Sequence, residues 1–368
     1  MNRILKYSFL TLAALAAILA IAYFVVGGRA GIVSKLVPFP DQAIPQTTLS
    51  ADSSGEVRFA SATPFDFDVL IAGMQYALPT TGLGHLFLPA NASVSSPAPA
   101  VVLVHGSGGI SPGREMEHGA MLAENGYAAF VIDYYTPRGA TPDVDYMLRV
   151  LSVTEFDAVT DSYNALKILR THPLIDSENI AVAGFSYGGM AARIAMDDRI
   201  RAALLSDEDG FAAHIDFYGP CFQQLNSPKL TSGPLLTLRG TEDASNELSA
   251  CEKREQEILT AGNTVETHVF EGAGHAWDNH SERSMRPDSP YLSGCTMSYD
   301  EKGHSAIGDR SVVNMPVETS RDKRIANRVL SSGPARDCLG YGYVVGRDDK
   351  TRAKADAIML RFLSEHLK

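Results

Sequence analysis

The chain is short of positive charge. Its 32 lysines and arginines stand against 43 aspartates and glutamates, a formal net charge of -11. A protein that follows a phosphate backbone needs a basic patch or stripe, so nucleic-acid partners are set aside, and so is general attraction to anionic headgroups. No internal repeats occur. Cysteine is sparse, four in 368 residues, too few for a disulfide-dense scaffold and an even number. No lysine followed by serine or threonine stands behind the glycine-rich stretch at 105–109, and the spacing of a dinucleotide loop is missing there as well. Composition is otherwise ordinary: 45% hydrophobic and 20% charged residues exclude a wholly disordered or collagen-like chain. The length suits one large domain with attachments.

Long apolar runs are absent save one. Arg3 and Lys6 precede an almost unbroken apolar stretch from about Phe9 to Val26, close to the ~20 residues of a membrane span. A cleaved secretory peptide is the competing reading, yet its apolar core is usually about 7–15 residues long and ends in a small-x-small site. Gly27-Gly28-Arg29-Ala30 makes a poor one. Residues 1–27 are therefore read as an uncleaved signal anchor with its N-terminus in the cytoplasm. The remainder is then exported, or secreted if the segment is cleaved. All four cysteines, Cys221, Cys251, Cys295 and Cys338, lie beyond the anchor, which fits two disulfides in an oxidising compartment; four buried thiols are the alternative. Cys221 follows one expected strand and Cys251 opens the helix after the next, so those two are expected to pair, leaving Cys295 for Cys338.

Residues 28–55 carry Pro38, Pro40 and Pro45 with no sustained period and read as a linker. From about residue 56 short apolar strands alternate with helical stretches. Strands are expected at Phe67 to Ile71, His85 to Leu88, Ala100 to Val104, Ala128 to Tyr134, Ile180 to Phe185, Ala212 to Tyr218, Leu235 to Arg239 and Thr267 to Phe270. Ser152 and Glu155 form an expected capping box ahead of a helix carrying Phe156, Val159, Tyr163, Leu166 and Leu169. This order implies an α/β fold: a mostly parallel central sheet with helices on both faces, and ligands beyond the carboxyl ends of the strands. A stretch at about 279–347 is polar and without period, and reads as an irregular insertion in a domain spanning 56–368.

The chemistry sits at those strand ends. Gly184-Phe185-Ser186-Tyr187-Gly188-Gly189 follows an apolar strand and opens a helix, the context of a nucleophile elbow with Ser186 as nucleophile. Serine needs a base, and the chain order of this arrangement is serine, acid, histidine. His275, on the glycine-rich loop after Thr267 to Phe270, is the candidate base; His280 and His304 fall in the irregular stretch. Asp243, in the turn after Leu235 to Arg239, is the candidate acid, with Glu242 as rival and a helix-capping role for Asp243 as the plain alternative. Oxyanion donors are expected from the main chain of Tyr187 and of Gly106 or Ser107, in His105-Gly106-Ser107-Gly108-Gly109. No metal or organic cofactor is required.

Taken together, HGSGGI, DYYTPRG, GFSYGG, GTED and GAGHAW resemble the dienelactone hydrolase family of α/β-hydrolases, over about Val101 to Lys368 apart from the insertion. The resemblance implies an α/β-hydrolase fold and an esterase or lactonase acting on a small-molecule ester. The namesake enzymes use cysteine where Ser186 stands, whereas many relatives use serine. They also place an arginine where Arg138 stands and a second four residues after the histidine, where this chain has Asn279. Arg138 is therefore a candidate clamp for a substrate carboxylate; a pairing with Asp143 or Asp145 is the structural alternative. An exported peptidase of the same fold, or an anchored binding protein on a hydrolase scaffold, are the competing functional readings.

Overall fold

The computed structural model describes residues 15–16, 18–20, 22–292, 294–308 and 310–367. Its strands are β1 (Gly55–Thr63), β2 (Leu78–Phe87), β3 (Ala98–Val104), β4 (Ala128–Asp133), β5 (Ile175–Phe185), β6 (His214–Phe217), β7 (Gln223–Gln224), β8 (Leu235–Gly240), β9 (Val265–Phe270), β10 (Ser284–Leu292), β11 (Met297–Tyr299), β12 (Ser305–Ile307), β13 (Arg310–Ser311) and β14 (Leu339–Val345). Eight of them form one sheet in the order β1-β2-β4-β3-β5-β6-β8-β9. The β1–β2 and β2–β4 pairs are antiparallel, and every pair from β4 through β9 is parallel. The chain has the α/β-hydrolase fold.

The central strands are continuous apolar runs because both faces of the sheet are covered. Side chains alternate between faces. Val102, Val104, Phe130 and Ile132 pack with Phe156, Val159 and Tyr163 of the helix Glu155–Leu169. Val101, Leu103, Ala129 and Val131 share the opposite core with Met359 and Phe362 of the helix Asp349–His366.

Several expectations are corrected. Phe67 to Ile71 belongs to a helix, Phe67–Ala72, in which Phe67, Asp68, Val69 and Leu70 are all buried; so short an apolar run carries no period that separates helix from strand. The capping box is formed by Thr154 and Asp157, because Ser152 ends the preceding helix, Tyr146–Ser152, and only Thr154 has the extended conformation of an N-cap. The 28–55 segment is no free linker. It begins with the helix Gly28–Leu36, which packs against the helix Arg321–Ala335. Val37 and Leu49 are buried beyond it, and the Gln42 amide donates to the Pro137 carbonyl (3.1 Å) while its oxygen accepts from Thr81 N–H (2.8 Å).

Much of the 279–347 stretch is built of strands and a helix, with residues 312–320 between them free of either. β10 and β14 form an antiparallel ribbon whose register shifts between Arg286 and Pro290, and β13, β12, β11 and β7 form a second small sheet. Prolines in β10 and largely exposed faces erased the period that would have announced these strands. Disulfides join Cys221 to Cys251 and Cys295 to Cys338, with Cα atoms 4.9 and 5.4 Å apart.

Much of the apolar run expected to anchor the chain lies outside the described residues. Among those described, no single helix is long and apolar enough to cross a membrane; Ile18–Val25 and Gly28–Leu36 form a pair bent by 65°.

Candidate active site

Ser186 stands between β5 and the helix Tyr187–Ile194 with φ 56° and ψ -117°, a conformation that costs a non-glycine residue of order 1–3 kcal/mol. The turn is held by the Ser186 N–H, which donates to the Phe217 carbonyl at 2.8 Å. Two glycines make it possible. A Cβ on Gly184 would come within 1.9 Å of the Gly188 carbonyl oxygen, and one on Gly188 within 2.1 Å of the Val104 oxygen. The reward of this tight elbow is a hydroxyl raised at the carboxyl edge of the sheet.

His275 meets that hydroxyl: its Nε2 lies 2.8 Å from Ser186 Oγ. On the other side of the ring, Nδ1 lies 2.6 Å from Asp243 Oδ2. The ring is positioned by its own main chain, whose N–H donates to Val344 (2.7 Å) and whose carbonyl accepts from Gly346 (3.0 Å), joining it to the end of β14. Tyr218 and Tyr343 flank it edge-on, with ring centroids 4.8 and 5.4 Å away.

Asp243 is buried and does not cap the next helix, Leu248–Thr260, whose N-cap is Glu247. Its Oδ1 accepts from Ser245 N–H (3.1 Å) and Oγ–H (2.5 Å), and its Oδ2 from the Asn246 amide (2.5 Å). Burial works to raise the Asp243 pKa, but His275, Ser245 and Asn246 outweigh it and hold the carboxyl below its ordinary value. Glu242 instead points outward to Arg283 (2.5 Å). His280 pairs with Glu117 (2.8 Å) and His304 with Asp300 (3.5 Å).

The 105–109 loop lies against the elbow. A Cβ on Gly106 would sit 3.0 Å from the Phe185 oxygen and 3.1 Å from Ser186 Cβ. Tyr134 Oη–H donates to the His105 carbonyl (3.0 Å) and Tyr135 Oη–H to that of Ser107 (3.1 Å), fixing the loop from below. Ser107, Ser186, Tyr187 and His275 line one cavity of about 600 Å³.

Arg138 is not in that cavity. It is fully buried, and its two terminal nitrogens reach Asp161 at 2.7 and 2.8 Å while also donating to the carbonyls of Tyr134 (2.8 Å) and Ala62 (2.9 Å). A guanidinium buried outside the cavity and held on Asp161 does not face a substrate at Ser186, so Arg138 is a structural residue and not a carboxylate clamp. The structural partner is Asp161, on the helix Glu155–Leu169, rather than Asp143 or Asp145. Asn279 closes a local turn onto Ser281 N–H (2.9 Å).

Sequence reasoning missed what roofs the site. The helix Arg321–Ala335 supplies Arg324, Asn327 and Arg328 to the cavity wall, and β11 supplies Met297 and Tyr299. Glu155, buried at the start of its helix, accepts from Tyr187 Oη–H and the Gln223 amide. Burial and then the Glu155 charge push the Tyr187 phenol well above its ordinary pKa, so it stays a neutral donor. Among the described residues no group of three or more histidine, cysteine, aspartate or glutamate side chains is arranged to hold a metal ion.

The model of the dienelactone hydrolase family matches residues 84–308. A Bradyrhizobium protein named as a probable 2-oxo-3-(5-oxofuran-2-ylidene)propanoate lactonase is 24% identical over 219 residues, 56% of this chain and 85% of that one. Among solved structures, a Thermogutta terrifontis esterase with propionate bound is 21% identical and covers 55% of this chain and 82% of its own, with a TM-score of 0.44. The paraoxon-phosphorylated form of Thermogutta terrifontis esterase 2 gives 21% identity, coverage of 54% and 80%, and a TM-score of 0.43.

Proposed function

Because the chain belongs to the dienelactone hydrolase family, we propose that it is a serine hydrolase that cleaves a carboxylic ester or lactone through an acyl-enzyme on Ser186. The observation that carries this reading is the continuous contact from Ser186 Oγ through the His275 ring to Asp243, at 2.8 and 2.6 Å. Asp243 fixes the tautomer that keeps a proton on Nδ1 and leaves the Nε2 lone pair facing serine. His275 Nε2 takes the hydroxyl proton as Oγ attacks the carbonyl carbon. The tetrahedral oxyanion is held by the Tyr187 N–H and by a second N–H from Gly106 or Ser107. Collapse expels the alcohol, which leaves with the proton from Nε2. Water, deprotonated by the same nitrogen, then attacks the acyl carbon and releases the acid and free Ser186. Asp243, held below the ordinary carboxylate range, stays ionised beside the imidazolium in both halves.

The two disulfides support an oxidising, exported location for the 56–368 domain. Residues 1–27 are the membrane anchor in this proposal, a role supported by the apolar run from Phe9 to Val26. The decisive experiment is labelling with a fluorophosphonate followed by peptide mapping. A single adduct on Ser186, lost in Ser186→Ala, is the expected result; a folded preparation that remains unlabelled would sink the proposal.

A further inference from the structure

The cavity above Ser186 is larger and greasier than a short ester requires. Its roughly 600 Å³ lies within the ~300–1,000 Å³ of pockets that enclose drug-sized ligands. Phe67, Phe156, Phe222, Met297 and Ile307 form its apolar wall. Phe67 and Phe156 stack with centroids 5.0 Å apart, and Tyr299 meets both edge-on at 5.5 and 5.4 Å, giving that wall a rigid aromatic face.

The mouth has the same character. Tyr146, Met147, Val313 and Tyr341 line the cavity and are 44%, 48%, 67% and 62% exposed. Single exposed apolar side chains are commonplace, but four that line the same cavity give its exposed part an apolar character suited to binding.

The charges in the cavity are spoken for. Arg324 reaches Asp66 (2.5 Å) and Asp68 (3.3 Å), and Arg328, its side chain 30% exposed, lies 3.8 Å from Glu155 and donates to Tyr187 Oη at 3.5 Å. Three carboxylates thus face two guanidiniums, and Asp68 Oδ2 is buried without a hydrogen-bond partner. An anionic substrate would enter a site already carrying surplus negative charge, with Arg138 locked away on Asp161.

We infer that the substrate is a neutral amphiphile: an ester or lactone carrying a medium-length alkyl chain, in its acyl or its alcohol part, that lies along the apolar wall under the helix Arg321–Ala335. This rests on the hydrolase reading of Ser186 and deepens it. Each methylene taken from water into such a wall adds about fourfold to kcat/KM until the cavity is filled.

The test is a chain-length series on the full-length protein: p-nitrophenyl acetate, butyrate, hexanoate, octanoate and dodecanoate for the acyl side, and alkyl acetates from ethyl to octyl for the alcohol side. The expected result is a kcat/KM that climbs from the shortest member to about the six- or eight-carbon member of at least one series. Ile307→Trp, which fills the wall, should lower the octanoate-to-acetate ratio at least tenfold. The monoanionic p-nitrophenyl succinate should be turned over at least tenfold more slowly than the butyrate. Values that are flat or falling with chain length in both series, or a preference for the succinate, would overturn the inference while leaving the hydrolase reading standing. Failure to cleave any ester, with no label on Ser186, would remove both.

Discussion

The main-chain N–H of His275 donates to the carbonyl of Val344 at 2.7 Å, across 69 positions of sequence that take in nearly all of the insertion. The ring facing Ser186 is therefore placed by β14 as much as by the loop that carries it. Gly274 makes the approach possible, since a Cβ there would lie 2.6 Å from the Val344 oxygen. Gly274→Ala should push strand and loop apart, and a shift of about 1 Å in a reacting group costs on the order of a hundredfold. Steady-state kcat on an ester, measured beside circular dichroism, checks this; full activity in a folded variant would detach β14 from the chemistry.

The acid is open to a paired test. Asp243→Asn keeps the shape but presents the wrong tautomer to Ser186, and kcat should fall by about 10⁴. Glu242→Gln alters only a surface contact with Arg283, whose partners are 38% and 48% exposed, and should leave kcat nearly unchanged. The opposite ranking would transfer the role to Glu242.

How much of this was legible depended on whether the signal was local. The elbow around Ser186 and the glycine-flanked His275 are short motifs whose strand context is adjacent in sequence. So is the turn that places Asp243. The partner of Arg138 was illegible for the opposite reason: Asp161 is 23 residues away, on a helix whose rotation is set by Phe156, Val159 and Tyr163 packing on the sheet. The roof was illegible too. Its strands are two to nine residues long and mostly half-exposed, and they pair with elements as distant as β7, so no window of sequence contains the information that orders them.

Arg138 gives a prediction about stability instead of substrate. Removing one partner of a fully buried, hydrogen-bonded pair leaves the other charge unpaired, so Arg138→Ala should cost about 3–5 kcal/mol in urea denaturation. The ratio of kcat/KM for an acidic and a neutral ester should stay where it was. A change in that ratio without loss of stability would return the residue to the binding site.

His214 predicts an acid limb. Its ring is fully buried, and burial pushes its pKa down to about 4 against the pull of its hydrogen bond to the Ala192 carbonyl at 2.9 Å. Unfolded histidine titrates near 6.5, so below that pH the unfolded chain binds a proton that the folded chain refuses. Stability is unaffected above about 6.5 and falls as pH drops toward 4, by about 3 kcal/mol. Urea midpoints at pH 7, 5.5 and 4.5 should trace that loss in the natural protein. A His214→Asn variant, whatever its stability at pH 7, should lack this segment of the slope.

The Cys295–Cys338 bridge has a consequence for survival of a proteolytic cut. Residues 312–320 form a stretch without helix or strand in which Val313 is 67% exposed, the kind of loop a protease finds first. A cut there falls between the two bridged cysteines, so the fragment bearing Ser186, Asp243 and His275 stays covalently joined to the fragment bearing Val344 and Gly346. The clipped enzyme would migrate as one band without reductant and as two with it. In a protease-rich compartment, what kills the activity would then be the second event, reduction, and not the first.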